Sequence, residues 1–241
     1  MKWWPLTLLI AFLTGVTGTG CNKEDDELTG LEEEAAEAVA GALGGEKSTQ
    51  GISGQSQDVV ELTRGAAAGF SKSAGFDTTV YRQGNLTGGY VWDYTFHFSW
   101  EYGARFTVNF TYDMKGTYDT PRLSSSDSSD ASWTVTGLLP ADTSLVINGT
   151  YERNGSQASK IGQKRSFTSK VVIGLKDMTV GKVSKRITGG TADCTVSGSS
   201  SDGKSFSYVG SVLFHGNQKA TLTLNGSTYE LNLTTGNAAL K

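Results

Sequence analysis

Residues 90–101 constrain this chain more than any other segment. Tyr90, Trp92, Tyr94, Phe96, Phe98 and Trp100 occupy every second position, and Val91, Asp93, Thr95, His97, Ser99 and Glu101 fill the positions between. A period of two places all six rings on one face of an extended strand, and a mostly polar row on the other. A helix would scatter the same rings around its axis. The run therefore demands an antiparallel sheet with one buried face. The return segment continues the argument, because Phe106, Val108, Phe110 and Tyr112 alternate in the same way. A tight turn at Tyr102-Gly103-Ala104, with Glu101 opposite Arg105, sets Phe98 against Val108, Phe96 against Phe110 and Asp93 against Asp113.

The C-terminal third repeats the pattern. Asp202-Gly203, Gly216-Asn217 and Asn225-Gly226 are hairpin dipeptides. A two-residue turn at Asn225-Gly226 sets Leu222 opposite Tyr229 and Ala220 opposite Leu231. Further strands are expected near 131–138, 143–153, 163–176 and 182–198, with Ser124 to Asp130 as a long exposed loop. Gly at 31 positions and Pro at only 3 suit many turns and uninterrupted strands. The expectation is an all-β fold. It is a single antiparallel meander of about ten strands, and a barrel, a curved open sheet and a sandwich all fit.

One or two short helices precede the sheet. Thr29-Gly30-Leu31-Glu32 has capping-box spacing, Glu32 to Ala42 is rich in helix formers, and Gly44-Gly45 closes the run. Residues 46–56 read as a linker and 57–68 as a second short helix. The expected division is a signal peptide at 1–20, a lipidated acidic tether with helix and linker at 21–56, a short helix and connection at 57–77, and the β domain at 78–241.

Residues 1–20 have the build of a signal peptide. Lys2 supplies the positive start, Leu6 to Leu13 a short apolar core, and Thr14 to Gly20 a small-residue exit. The core is shorter than the roughly 20 apolar residues that a spanning helix needs. Thr19-Gly20-Cys21 resembles the bacterial lipobox, although Gly18 stands where that box usually has Leu. The resemblance implies lipidation at Cys21 and cleavage before it. Lys23-Glu24-Asp25-Asp26-Glu27 then resembles the surface-export signal of Bacteroidota lipoproteins, and it also suits a solvated tether. With Cys21 lipidated, Cys194 has no partner. Alternation puts it with Ala192 and Val196, as a small buried hydrophobe. A Cys21–Cys194 disulfide is the minor alternative.

Gly116-Thr117-Tyr118-Asp119-Thr120-Pro121-Arg122-Leu123, Trp133-Thr134-Val135-Thr136-Gly137-Leu138, Asn148-Gly149-Thr150-Tyr151 and Asn225-Gly226-Ser227-Thr228-Tyr229 accompany the acidic start and the Ala/Glu helix. Together they resemble an uncharacterised family of Bacteroidota surface lipoproteins, of Cytophagia or Flavobacteriia type. The resemblance implies an outer-membrane or cell-surface address and no particular activity.

Chemical motifs are sparse. Gly198 to Ser205 matches the phosphate-loop letters. That mechanism needs a helix after the loop, whereas Phe206, Tyr208, Val212 and Phe214 continue as a strand, so we read a hairpin. His97 and His215 have no second ligand at metal spacing. The sequence therefore leads us to expect no enzyme, no metal and no cofactor. The body is too weakly basic for nucleic acid. Lys164, Lys170, Lys176 and Lys182 share one parity and form a candidate face for an anionic ligand, with lysine protection of an edge strand as the competing reading. Expected partners are the membrane, through the lipid, and the lipoprotein export machinery, with a glycan or an apolar ligand as candidates. The leading function is a lipid-anchored surface lipoprotein with a non-enzymatic structural or binding role. The alternatives are a carrier enclosing an apolar lipid in a barrel-like cavity, and a polysaccharide-acting or glycan-binding protein.

Overall fold

A computed structural model of the chain describes residues 23–45, 50–67, 76–102 and 106–241. Helix α1 (Lys23–Leu43) and helix α2 (Ile52–Ala67) precede eleven strands. These are β1 (Phe76–Leu86), β2 (Tyr90–Tyr102), β3 (Val108–Asp119), β4 (Leu123–Thr136), β5 (Ser144–Ser159), β6 (Ser166–Gly181), β7 (Ile187–Ser200), β8 (Ser205–Gly216), β9 (Lys219–Leu224), β10 (Ser227–Asn232) and β11 (Asn237–Leu240). All belong to one antiparallel sheet in strict sequence order. The meander is open: β1 and β11 are its edges. The strand count is one above the expected ten, and of the three compatible architectures the curved open sheet is the one found.

The sheet curls around α1. Asn237 Nδ2 of β11 donates to the Tyr90 hydroxyl of β2 at 3.3 Å, so the two flanks of the sheet approach each other. From Leu31 to Gly45, every residue of α1 and its exit is buried except Glu33. A helix buried on all sides lies inside a core, and here it shares one apolar cluster with α2 and the inward face of the sheet. The helices are thus part of the β body. The boundary expected between them does not appear in the packing. The run Lys23–Glu27 also belongs to α1 in its backbone, where a solvated tether was expected, and α2 begins at Ile52 inside the expected linker.

The hairpins at the two ends differ. Turns β1–β2, β3–β4, β5–β6, β7–β8 and β9–β10 lie at the proximal end, where Glu34 and Glu32 of α1 sit against Arg165 and Asn225. The loops β2–β3, β4–β5 and β6–β7 lie at the distal end, where α2 finishes.

Two registers show what local chemistry decides. Asn225 and Gly226 have φ of 48° and 97°, the left-handed pair that a two-residue hairpin turn needs. Leu222 accordingly faces Tyr229 and Ala220 faces Leu231, as expected. Strands β2 and β3 pair differently. Phe98 faces Tyr112, Phe96 faces Met114 and Asp93 faces Thr117, a shift of four residues from the tight-turn register. The connection is longer than a tight turn, since pairing stops at Tyr102 and Val108. A shift of four is even, so the rings within β2 and β3 keep their face, whereas Phe106, expected in the same row, lies in the connection before β3 and is exposed.

The aromatic face is filled by side chains. Tyr94, Phe96, Phe98 and Trp100 are buried, and Phe96 and Phe98 stack at 5.7 Å between centroids. Arg82 on β1 covers them, its guanidinium carbon 5.2 Å from the Phe96 centroid and 5.6 Å from that of Phe98. Asp58 of α2 holds this guanidinium at 2.7 Å.

Candidate functional site

Polar groups inside the curl position α1. The segment expected as a Ser/Asp loop is instead the first half of β4. Ser125, Asp127 and Ser129 point inward and are buried, while Ser124, Ser126 and Ser128 point outward. Such a composition survives inside a sheet because a cation faces it. Arg153 on β5 pairs with Asp127, donates from Nη2 to the Tyr94 hydroxyl at 2.9 Å, and donates from Nη1 to the Gly41 carbonyl of α1 at 2.9 Å. The Tyr94 hydroxyl donates in turn to Asp127 Oδ1 at 3.1 Å. Burial pushes the Asp127 carboxyl up, and Arg153 pulls it back down.

Three carboxylates of α1 continue this network. Arg122 Nε donates to Glu37 Oε1 at 2.6 Å, and the Ala238 amide donates to the same oxygen at 3.3 Å. Burial dominates there and raises the Glu37 carboxyl to about 7. Arg165 Nη1 stands 3.7 Å from Glu34 Oε2. The Tyr229 hydroxyl and Asn225 Nδ2 donate to Glu32 at 3.1 and 3.3 Å. Ser129 faces the hydroxyls of Tyr112 and Tyr151 without a well-formed hydrogen bond to either. These groups place the helix; nothing here combines a nucleophile with a base.

The outer face carries the charged residues seen in the sequence. His97 Nε2 lies 2.8 Å from Asp77 and its Nδ1 3.6 Å from Asp113. The hydrogen bond to Asp77 is the main cause that raises the imidazole. Asp113 faces Asp130, which faces Glu152, so an acidic row crosses three strands beside that histidine. Among the described residues no group of three or more His, Cys, Asp or Glu is arranged to hold a metal ion. A shallow groove of about 530 Å³ beside this row is lined by Lys115, Ser128, Asn154, Thr168, Lys170 and Ser197, among others.

The lysines of the candidate anionic face are spread along the sheet. Lys170 and Lys176 sit on β6, the first 2.7 Å from Glu152 and the second paired with Asp193. Lys164 lies in the proximal β5–β6 turn, and Lys182 in the distal β6–β7 turn, donating to the Leu139 carbonyl at 2.7 Å. Strand β6 is central, so edge protection does not account for them.

The phosphate-loop letters fall on the β7–β8 hairpin, where Ser199 pairs with Ser205 and no helix follows. Cys194 is buried with Ala192 and Val196. Cys21 lies outside the described residues, as do residues 1–20. No described helix is long and apolar enough to cross a membrane. Comparison of the chain with protein-family models, curated proteins and solved structures found no match.

Proposed function

We propose that this protein is an exported lipoprotein, anchored through Cys21 to the outer membrane or cell surface, whose β body acts by structure or binding rather than by catalysis. The observation that carries the reading is the segment Lys2 to Cys21, with its positive start, short apolar core and Thr19-Gly20-Cys21 exit. The structure adds a mechanical argument. Helix α1 starts at Lys23, two residues after Cys21, and is locked inside the sheet from Leu31 onward. A lipid on Cys21 would hold the body on a short helical stalk. The filled aromatic face favours a body that works through its surface over one that encloses an apolar guest.

Intact mass and fatty-acid labelling test the anchor. The expected result is a diacylated or triacylated mature chain beginning at Cys21, with Cys21→Ala uncleaved and unlabelled. A wild-type chain without lipid would refute the proposal. The export role of Lys23 to Glu27 is separable: alanine at all five should keep the lipid and lower surface protease accessibility. Unchanged accessibility would leave those residues as helix alone.

A further inference from the structure

Eight large apolar side chains are exposed among the described residues, and three of them sit on loops: Phe106, Leu139 and Val183. All three loops are at the distal end, joining β2–β3, β4–β5 and β6–β7. Among the described side chains the proximal turns carry none, and neither do the two remaining distal turns, β8–β9 and β10–β11. Val183 is 88% exposed, Phe106 66% and Leu139 48%. Turn tips ordinarily take Gly, Asn, Asp or Ser, so apolar tips break the local rule without any gain in packing. Phe106 breaks a second rule, with φ of 58° at a bulky residue.

The tips at Leu139 and Val183 are held by hydrogen bonds. The Leu139 amide donates to Asp142 Oδ2 at 3.0 Å, and the Asp142 amide returns to the Leu139 carbonyl at 3.0 Å. Val183 crowns a turn closed by Lys185 N to Gly181 O at 2.7 Å. Basic groups lie beside Leu139 and Val183, together with the acids Asp142 and Glu61. Lys182 Nζ binds the Leu139 carbonyl, and the Arg64 guanidinium binds the Lys182 carbonyl. Lys182 thus meets a neutral acceptor, while Arg64 lies near the Glu61 carboxylate as well. Lys185 is neutralised by Glu61.

We infer that the distal end is a docking surface for an anionic lipid bilayer. Apolar tips enter the headgroup boundary while Lys182 and Arg64 meet lipid phosphates. The inference rests on the anchor reading only for orientation: with α1 entering at the proximal end, the distal end faces away from the anchoring membrane and toward a second one.

The test uses the full mature protein with its lipid. It is incorporated into neutral phosphatidylcholine vesicles, then mixed with labelled acceptor vesicles of equal parts phosphatidylcholine and phosphatidylglycerol. Acceptors should be captured, and neutral acceptors much less. Val183→Ser alone should weaken capture roughly tenfold, the order expected for one apolar side chain withdrawn from the boundary. The triple change Phe106→Ser, Leu139→Ser, Val183→Ser should abolish it with the circular dichroism unchanged. Capture that is absent, or equal in wild type and triple variant, overturns the inference, as does binding that follows a protein component instead of lipid. Failure of the anchor is read separately, by mass. In that case flotation of the unlipidated chain with the anionic vesicles gives the same comparison of variants.

Discussion

Arg153 and Asp127 form an ion pair between adjacent central strands with 3% and 5% of their surfaces exposed. Removing one partner leaves the other charged in a dry interior. Arg153→Met should therefore lower stability by about 3–5 kcal/mol, while the double change Arg153→Met with Asp127→Leu should recover most of the loss. Chemical denaturation of the three proteins checks this. A double variant no better than the single one would mean that the bonds to Gly41 and Tyr94 matter more than charge balance.

Glu37 gives the fold a pH dependence. Its carboxyl titrates at about 7 in the folded protein against 4.5 in an unperturbed chain, because burial outweighs Arg122. The folded state thus binds the proton more tightly. The associated stability is complete below about pH 4.5 and is lost as the pH rises through 7. The amount is about 3 kcal/mol. Glu37→Gln should remove it, so the difference in stability between variant and wild type should grow in the variant's favour from pH 5 to 8. A constant difference across that range would contradict the burial argument.

Phe96→Ala reports on how the aromatic face is filled. With Phe98 and Arg82 packed on the ring, the substitution should cost about 3–5 kcal/mol and lower the melting temperature accordingly. A cost below about 1 kcal/mol, together with a stoichiometric apolar molecule in the purified protein, would favour the carrier reading instead.

Cys194 should be chemically silent while the protein is folded. It is buried, and burial pushes its thiol up to about 12. Thiol reagents should label it only after denaturant is added. Labelling at the rate of a free peptide in native buffer would contradict its placement.

The parts legible in the sequence were those written in a periodic apolar code or in turn chemistry. The rings of 90–100 and the Asn225-Gly226 hairpin are examples. The β2–β3 register was not legible, because nothing in residues 102–107 states the length of the connection; the faces within the two strands survived the error, and Phe106 did not. The first half of β4 was missed for a different reason. Ser125, Asp127 and Ser129 resemble a loop until Arg153 is placed opposite them. A clue existed, since Arg153 shares the inward parity of Tyr151. Nothing in the sequence of α1 states that Glu32, Glu34 and Glu37 are buried against Tyr229, Arg165 and Arg122, because those partners lie far along the chain. The apolar tips at 106, 139 and 183 gain meaning only when topology gathers their loops at one end.

The enclosure of α1 has a consequence for how the chain assembles. The helix precedes every described strand in the chain, yet Glu32 waits for Asn225 and Tyr229, and Glu37 waits for the amide of Ala238, partners 193 to 201 residues downstream. Its small, Ala-rich surface is a poor nucleus by itself. Arg122, Arg153 and Arg165 can hold the helix earlier, but closure of the fold is coupled to arrival of β9 to β11. Contacts of such long sequence separation form late and leave the partly built sheet exposed until they do. Strand β11, only four residues long, acts as the latch on a helix that precedes the whole sheet in the chain.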